Sequence, residues 1–326
     1  MRVLTSDRLD RFFERLSATW DLRLPIMLPD GTRVIGSLED GHLAMQGPAV
    51  SGKPTAAFFP QHGTIFTAAG GVLHEPSAAT RPLFVLGFTP RDLACLRFID
   101  RFFADGWHDD IYFRQRRRAV VAGLSGYCGF NGALMPPAGG NCDLEFFWDG
   151  SGWLLIPYTE SGKVIVSELP DSVPPEAMEL CKQASNRLPD EEEKLLLRAS
   201  EILRGDRVPD SFWAEIGDRC IACTGCNLVC PTCTCFGVQD WRSAKLVERS
   251  RMWDSCQLEG FMREASGHNP LASEALRTRR RIHHKLAADP DKWGEISCFL
   301  CGRCDAVCPT GIGIVAVMRD LVERFA

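Results

Sequence analysis

Cys220-Ile-Ala-Cys223-Thr-Gly-Cys226-Asn-Leu-Val-Cys230-Pro231 and Cys298-Phe-Leu-Cys301-Gly-Arg-Cys304-Asp-Ala-Val-Cys308-Pro309 are two copies of one pattern. Each is Cys-x2-Cys-x2-Cys-x3-Cys-Pro, the spacing that holds cubane [4Fe–4S] clusters. Three cysteines in a tight loop supply thiolates to three corners of a cube. The fourth points elsewhere as a helix begins, and the proline turns the chain away where a missing N–H costs nothing. In two-cluster proteins the fourth cysteine serves the opposite cube. That rule predicts one set of Cys220, Cys223, Cys226 and Cys308, and a second of Cys298, Cys301, Cys304 and Cys230. Crossing of this kind holds the two sites together, as electron transfer needs.

The competing reading of such cysteines is zinc. Zinc sites usually take their four thiolates from two separated pairs, and two intact four-cysteine runs that each end in Cys-Pro do not fit that habit. Disulfides are a poorer fit still. The chain opens MRVLTSDRLDRFFERL, without the apolar core of a secretory signal, and ten of its fifteen cysteines fall in Cys220–Cys235 and Cys298–Cys308. Metal binding in the reducing cytoplasm is the expectation. A net charge of −5 gives no general attraction to nucleic acid or anionic membrane. The longest apolar run, near Leu83–Phe88, suits a buried strand and not a membrane span.

Working outward, 67 residues separate Cys230 from Cys298, far more than in a compact ferredoxin. The insert reads as polar and helix-prone in SAKLVERSRMWDS and LASEALRTRRRIHHKL, which predicts helices wrapped around two clusters. Upstream, PDEEEKLLLRASEILRG runs from acidic to basic and stops at Gly205, the charge order that a helix dipole favours. SFWAEIGD continues as helix into the first cysteine run. A Ser/Pro-rich break at Pro170–Pro175 sets the expected boundary near residue 170. Before it, a capped amphipathic helix over Ser6–Trp20 and a helix at Arg91–Phe103 accompany short apolar runs bounded by Gly and Pro. The expected fold class is α+β: an N-terminal α+β domain (1–170), then a C-terminal helical dicluster ferredoxin-like domain (171–326).

CPTCTCF (Cys230–Phe236), RMWDSC (Arg251–Cys256), SGHN (Ser266–Asn269), HHKL (His283–Leu286) and CFLCGRCDAVCPTGI (Cys298–Ile312) resemble the C-terminal half of the hydrogenase/sulfur reductase β-subunit family. This family includes the β subunit of sulfhydrogenase and one subunit of anaerobic sulfite reductase. FPQHGTIF (Phe59–Phe66) and VLGFTPRDLACLRFIDRFF (Val85–Phe103) are similar to family segments in place and order. The resemblance implies an electron relay between a flavin subunit that handles NAD(P)H and a catalytic subunit of hydrogenase or sulfur/sulfite reductase type, with no catalytic site of its own. The lack of a GxGxxG dinucleotide fingerprint agrees with a relay that depends on a neighbour for its flavin. The chain departs from the family at Cys128–Leu144, where only Cys128 and Cys142 stand in a stretch that is cysteine-dense in relatives. Related readings are a subunit of a heterodisulfide-reductase-like or aromatic-ring-reducing complex, or a self-contained Fe–S enzyme.

Cys233, Cys235 and Cys256 lie outside the two runs. With Cys128 they form a candidate third cluster site; the alternative is that they are buried thiols packed beside the clusters. Cys95 and Cys181 sit in helical patterns and read as core. Asp254 and His268 are more readily capping or supporting residues than iron ligands. The basic runs Arg114–Arg118 and Arg277–Lys285 read as solvated or docking faces, though arginines between the cluster motifs can also offset thiolate charge.

Overall fold

The computed structural model describes residues 1–47, 50–76, 80–129, 132–186, 190–205 and 207–326. In chain order its first half contains β1 (Arg2–Leu4), α1 (Leu9–Ser17), β2 (Asp21–Met27), β3 (Arg33–Gly36), β4 (His42–Leu43), β5 (His62–Ala69), β6 (Val72–His74), β7 (Leu83–Phe88), α2 (Pro90–Ala104), α3 (Asp110–Arg117), β8 (Ala119–Gly126), β9 (Leu144–Trp148), β10 (Trp153–Pro157), α4 (Glu160–Val166) and α5 (Pro175–Ser185). Then come α6 (Glu191–Arg204), α7 (Asp210–Arg219), α8 (Gly225–Leu228), β11 (Phe236–Arg242), β12 (Val247–Trp253), α9 (Glu274–His283), α10 (Asp289–Trp293), α11 (Arg303–Val307) and α12 (Ile314–Phe325). The chain divides into two units, Met1–Phe59 with Ser77–Leu188, and Pro60–Pro76 with Pro189–Ala326.

The first unit is built on a mixed sheet in the order β1-β10-β9-β8-β7-β2-β3, with β4 beside β2. Its centre, β2-β7-β8-β9, is parallel. Parallel strands are covered on both faces, and Leu83–Phe88 is accordingly buried at every position. On one face α1 presents Leu9, Phe12, Phe13 and Leu16 to Phe84, Phe146 and Trp153. The two-residue period of β9 sends Phe147 to the other face, where it meets Cys181 and Ala184 of α5. That contact places α5 in the first unit, so the division falls at 188/189 and not near 170. Cys95 is also buried. Thr89 and Asp92 form a reciprocal capping box that starts α2.

In the second unit α6, α7, α9 and α12 share one apolar core, with Leu203, Phe212, Ile216, Ile282, Met318 and Leu321 among its members. Asp190 and Glu193 box the start of α6. The expectation of helix over SAKLVERSRMWDS is corrected here, while LASEALRTRRRIHHKL does contain α9. SAKLVERSRMWDS forms a turn and strand β12, which pairs with β11 and with β5 in an antiparallel sheet ordered β11-β12-β5-β6. Arg249 clamps Asp240 across the hairpin at 2.6 and 2.7 Å. Thr64 of β5 donates to Glu248 at 2.7 Å. The polar residues that suggested an exposed helix are cross-strand partners.

Gly217 brings α7 against α9: a Cβ there would lie 2.5 Å from the backbone nitrogen of Ala275. Backbone cannot swing aside as a side chain can. Gly217→Ala is therefore expected to destabilise the second unit by about 1–3 kcal/mol. Thermal unfolding of the metal-loaded protein checks this, and an unchanged midpoint contradicts the close packing of α7 on α9.

Candidate metal centre

Both cysteine runs lie in the second unit and adopt the same unusual backbone. Ala222 and Leu300, each two residues past the first cysteine of its run, have φ of 51° and 54°. Thr224 and Gly302, each following the second cysteine, have φ of 63° and 77°. Ala222, Thr224 and Leu300 are the only non-glycine residues with positive φ among those described. Left-handed residues of this type cost roughly 1–2 kcal/mol each. Alternating left- and right-handed residues turn successive N–H groups toward one concavity, the nest geometry of many Fe–S sites. An anionic thiolate-ligated cube fits such a cradle, and the strain is of the kind concentrated at ligand clamps.

Each run then enters a short helix, α8 or α11, and these pack against each other. Cys226 and Cys304 lie on them. Cys230 and Cys308 follow, and each is tied to the threonine of a repeated Cys-Pro-Thr: Cys230 to Thr232 and Cys308 to Thr310, both at 3.5 Å. The Ile312 N–H also donates to Cys308 Sγ at 3.4 Å. Burial works against ionisation of Cys308, but these donors outweigh it and pull its thiol below the ordinary value.

One pocket is lined by Cys220, Cys223, Cys226 and Cys308, with Thr310 and Arg281 at its wall. Cys298 and Cys304 lie within electrostatic reach of each other and of Cys230. Burial pushes the Cys298 thiol up to about 12 and Cys226 up to about 11, the latter countered by Arg281. Among the described residues no three His, Cys, Asp or Glu side chains stand close enough to hold a single metal ion. A cubane asks for a wider set, because each thiolate binds a different iron, whereas zinc gathers all its sulfurs around one ion.

The two halves differ in exposure despite their matching backbones. Cys223 is exposed, Ile221 is 63% exposed and Val307 is exposed beside them. In the other run Cys301 and Phe299, equivalent to Cys223 and Ile221, are half-buried, and Leu300, equivalent to the half-buried Ala222, is 4% exposed.

The remaining candidates fall differently. Cys256 accepts from Asn227 Nδ2 at 3.2 Å, and Cys233 donates to Asn227 Oδ1 at 3.6 Å. Cys235 hydrogen-bonds Cys256; this bond and that from Asn227, with Arg281 and Lys285 nearby, bring the Cys256 thiol down to about 6 against its burial. Cys128 belongs to the first unit, where it packs on the N-terminal core with Arg33 as its charged neighbour; residues 130–131 of its loop lie outside the described residues. Asp254 accepts from the Ser255 N–H at 2.7 Å, and His268 is exposed. In the first basic run Arg116 pairs with Asp100 at 3.2 Å.

The second basic run is where reading charges as solvated is corrected. Arg277, Arg281 and Lys285 are 3%, 4% and 5% exposed. They recur at i, i+4 and i+8, beside the apolar Ile282 and Leu286, and so turn one cationic face inward. That spacing is the signal by which sequence could have found them.

The 4Fe-4S dicluster domain family matches residues 219–312. Over 254 residues the chain is 28% identical to sulfhydrogenase 2 subunit beta of Pyrococcus furiosus, covering 74% of each chain. No solved structure matches it.

Anaerobically prepared protein is expected to carry about eight irons per chain, four per cube. A value of about twelve assigns a third cluster to Cys233, Cys235 and Cys256. Zinc with little iron, measured by elemental analysis, overturns the assignment.

Proposed function

We propose that the chain is a member of the hydrogenase/sulfur reductase β-subunit family, a reading supported by its dicluster domain and its similarity to a sulfhydrogenase β subunit, and that it is the iron–sulfur electron-transfer subunit of a cytosolic multi-subunit oxidoreductase. It relays electrons between a flavin subunit that handles NAD(P)H and a catalytic subunit of hydrogenase or sulfur/sulfite reductase type. The observation that carries this reading is the pair of matching left-handed loops, whose cysteines adjoin in one compact unit. Cys220, Cys223, Cys226 and Cys308 hold one [4Fe–4S] cluster; Cys298, Cys301, Cys304 and Cys230 hold the other. Bound there, the clusters supply one-electron transfer over a short path.

The chain's own residues give that path its ends. Cys226 and Cys304 sit on packed helices, within electrostatic reach across the two sets. Cys223, Ile221 and Val307 open the first set to solvent, where a partner's redox group can approach; the second set is enclosed. A thiolate within contact of solvent shortens the gap that an arriving electron must cross.

Two experiments test this reading. Purified alone, the chain is expected to contain no FAD or FMN and to leave NAD(P)H unoxidised; stoichiometric flavin in the single chain removes the pure relay. Cys308→Ser is expected to alter the cluster on Cys220, Cys223 and Cys226, although Cys308 lies 82 residues beyond Cys226. Serine is the harder and less readily ionised ligand, so electron paramagnetic resonance should show that cluster shifted in potential or short of one iron, with the other less affected. Damage confined to the cluster on Cys298, Cys301 and Cys304 shows instead that each run closes on itself.

A further inference from the structure

Two buried cations on one helix face of the second unit, Arg281 and Lys285, face sulfur. Arg281 donates from Nε to Asn227 Oδ1 at 3.0 Å and from Nη2 to the Cys226 carbonyl at 3.4 Å. The thiols within its electrostatic reach are Cys226, Cys304, Cys233 and Cys230, so it addresses both cysteine runs. Lys285, one turn on, donates from Nζ to Thr232 Oγ1 at 2.6 Å, and Thr232 in turn donates to the Ser297 carbonyl at 2.7 Å. Its thiol neighbours are Cys230, Cys233 and Cys298. The helix is locally widened to a π turn over His284–Ala288, where Lys285 sits; such turns recur at functional sites.

A buried cation is costly unless opposite charge surrounds it. The hydrogen bonds of both residues end on neutral oxygens, and sulfur supplies the opposite charge. We propose that Arg281 is a shared counter-charge that raises the reduction potential of both clusters, while Lys285 acts on the cluster of Cys298, Cys301, Cys304 and Cys230 alone. Reduction adds an electron to an already anionic site, so a fixed positive charge nearby stabilises the reduced form more than the oxidised one. Arg281 acts through this field and through its hold on Asn227, without ligating iron. A charge common to both sets moves both potentials together and leaves the difference between them nearly unchanged. Lys285, reaching one set only, shifts that difference in favour of the enclosed site.

The inference rests on the dicluster reading, and the measurement separates the two. Midpoint potentials are read by redox titration followed by electron paramagnetic resonance, on anaerobic full-length protein with iron counted in each sample. Wild type without iron would defeat the dicluster reading itself. In loaded protein, Arg281→Gln is expected to lower both midpoints by at least a tenfold change in the oxidised-to-reduced ratio, about 59 mV for a one-electron couple, and Arg281→Lys to restore most of the loss. Lys285→Gln is expected to lower only the enclosed cluster's midpoint, and it keeps the test open if Arg281→Gln does not hold iron. Loaded variants with unmoved midpoints, or an Arg281→Lys no better than Arg281→Gln, overturn the proposal.

Discussion

Sulfur charge gathered in a small volume is the constraint on which the second unit depends. The eight cysteines of the two runs and three more lie within it, and burial pushes several of their thiols away from ionisation. Ligation requires thiolates, so the surrounding protein must favour negative charge. It does so in three ways: left-handed loops that aim N–H groups inward, a hydroxyl beside each fourth cysteine, and the inward face of α9. The π turn belongs to the same solution. It offers the Lys285 carbonyl to the Ser297 N–H at 3.2 Å and the Leu286 carbonyl to the Ser200 hydroxyl at 2.5 Å. The segment that carries the buried cation is thereby fixed to the loop before Cys298 and to α6.

Duplication of the motif does not make its halves equivalent. The backbones agree to within a few degrees at Ala222 and Leu300, yet one of these side chains is half-exposed and the other is core. Leucine after Cys298 anchors its loop in the apolar cluster shared by α6, α7 and α12, whereas alanine after Cys220 leaves a shallower surface. A pair of sites with equal local geometry and unequal surroundings has a direction. Solvent access and dielectric, both set by neighbours and not by ligands, distinguish the two ends of a relay.

How much of this was legible in the sequence follows the range of each interaction. Ligand spacing, the capped helices α2 and α6 and the buried parallel strand at Leu83–Phe88 are encoded within about ten residues, and they could be read. The α5 boundary could not, because it depends on Phe147 and Leu154 on strands distant from that helix. Strand β12 was misread as helix for the same reason: β5, which pairs with it, comes from more than 170 residues earlier in the chain. The inward face of Arg277, Arg281 and Lys285 was read first as solvated, with cluster thiolates named only as a second, alternative counter-charge, because charge is taken as solvent-facing where its partner is distant, and here that partner is cysteine sulfur, which composition counts as apolar.

The path of the chain adds one consequence. After Phe59 the polypeptide leaves the first unit, contributes β5 and β6 to the second, and returns at Ser77. Strand β12 therefore has β11 on one side and, on the other, a strand supplied from within the N-terminal half. Cutting the chain between the two halves at any point after 77 would strip β12 of that partner and leave an unpaired edge, with its N–H and C=O groups open to another strand. The same edit would cost the Thr64–Glu248 bond and the Trp253 N–H bond to the Gln61 carbonyl at 2.9 Å. Trp253 and Asp254 lead directly to Ser255 and Cys256, which accept the hydrogen bonds of Asn227 beside Cys226. Completion of the sheet thus bears on the cysteine loops through the Gln61–Trp253 bond and the Asn227 side chain, and the dicluster region is not a module that the rest of the sequence merely carries.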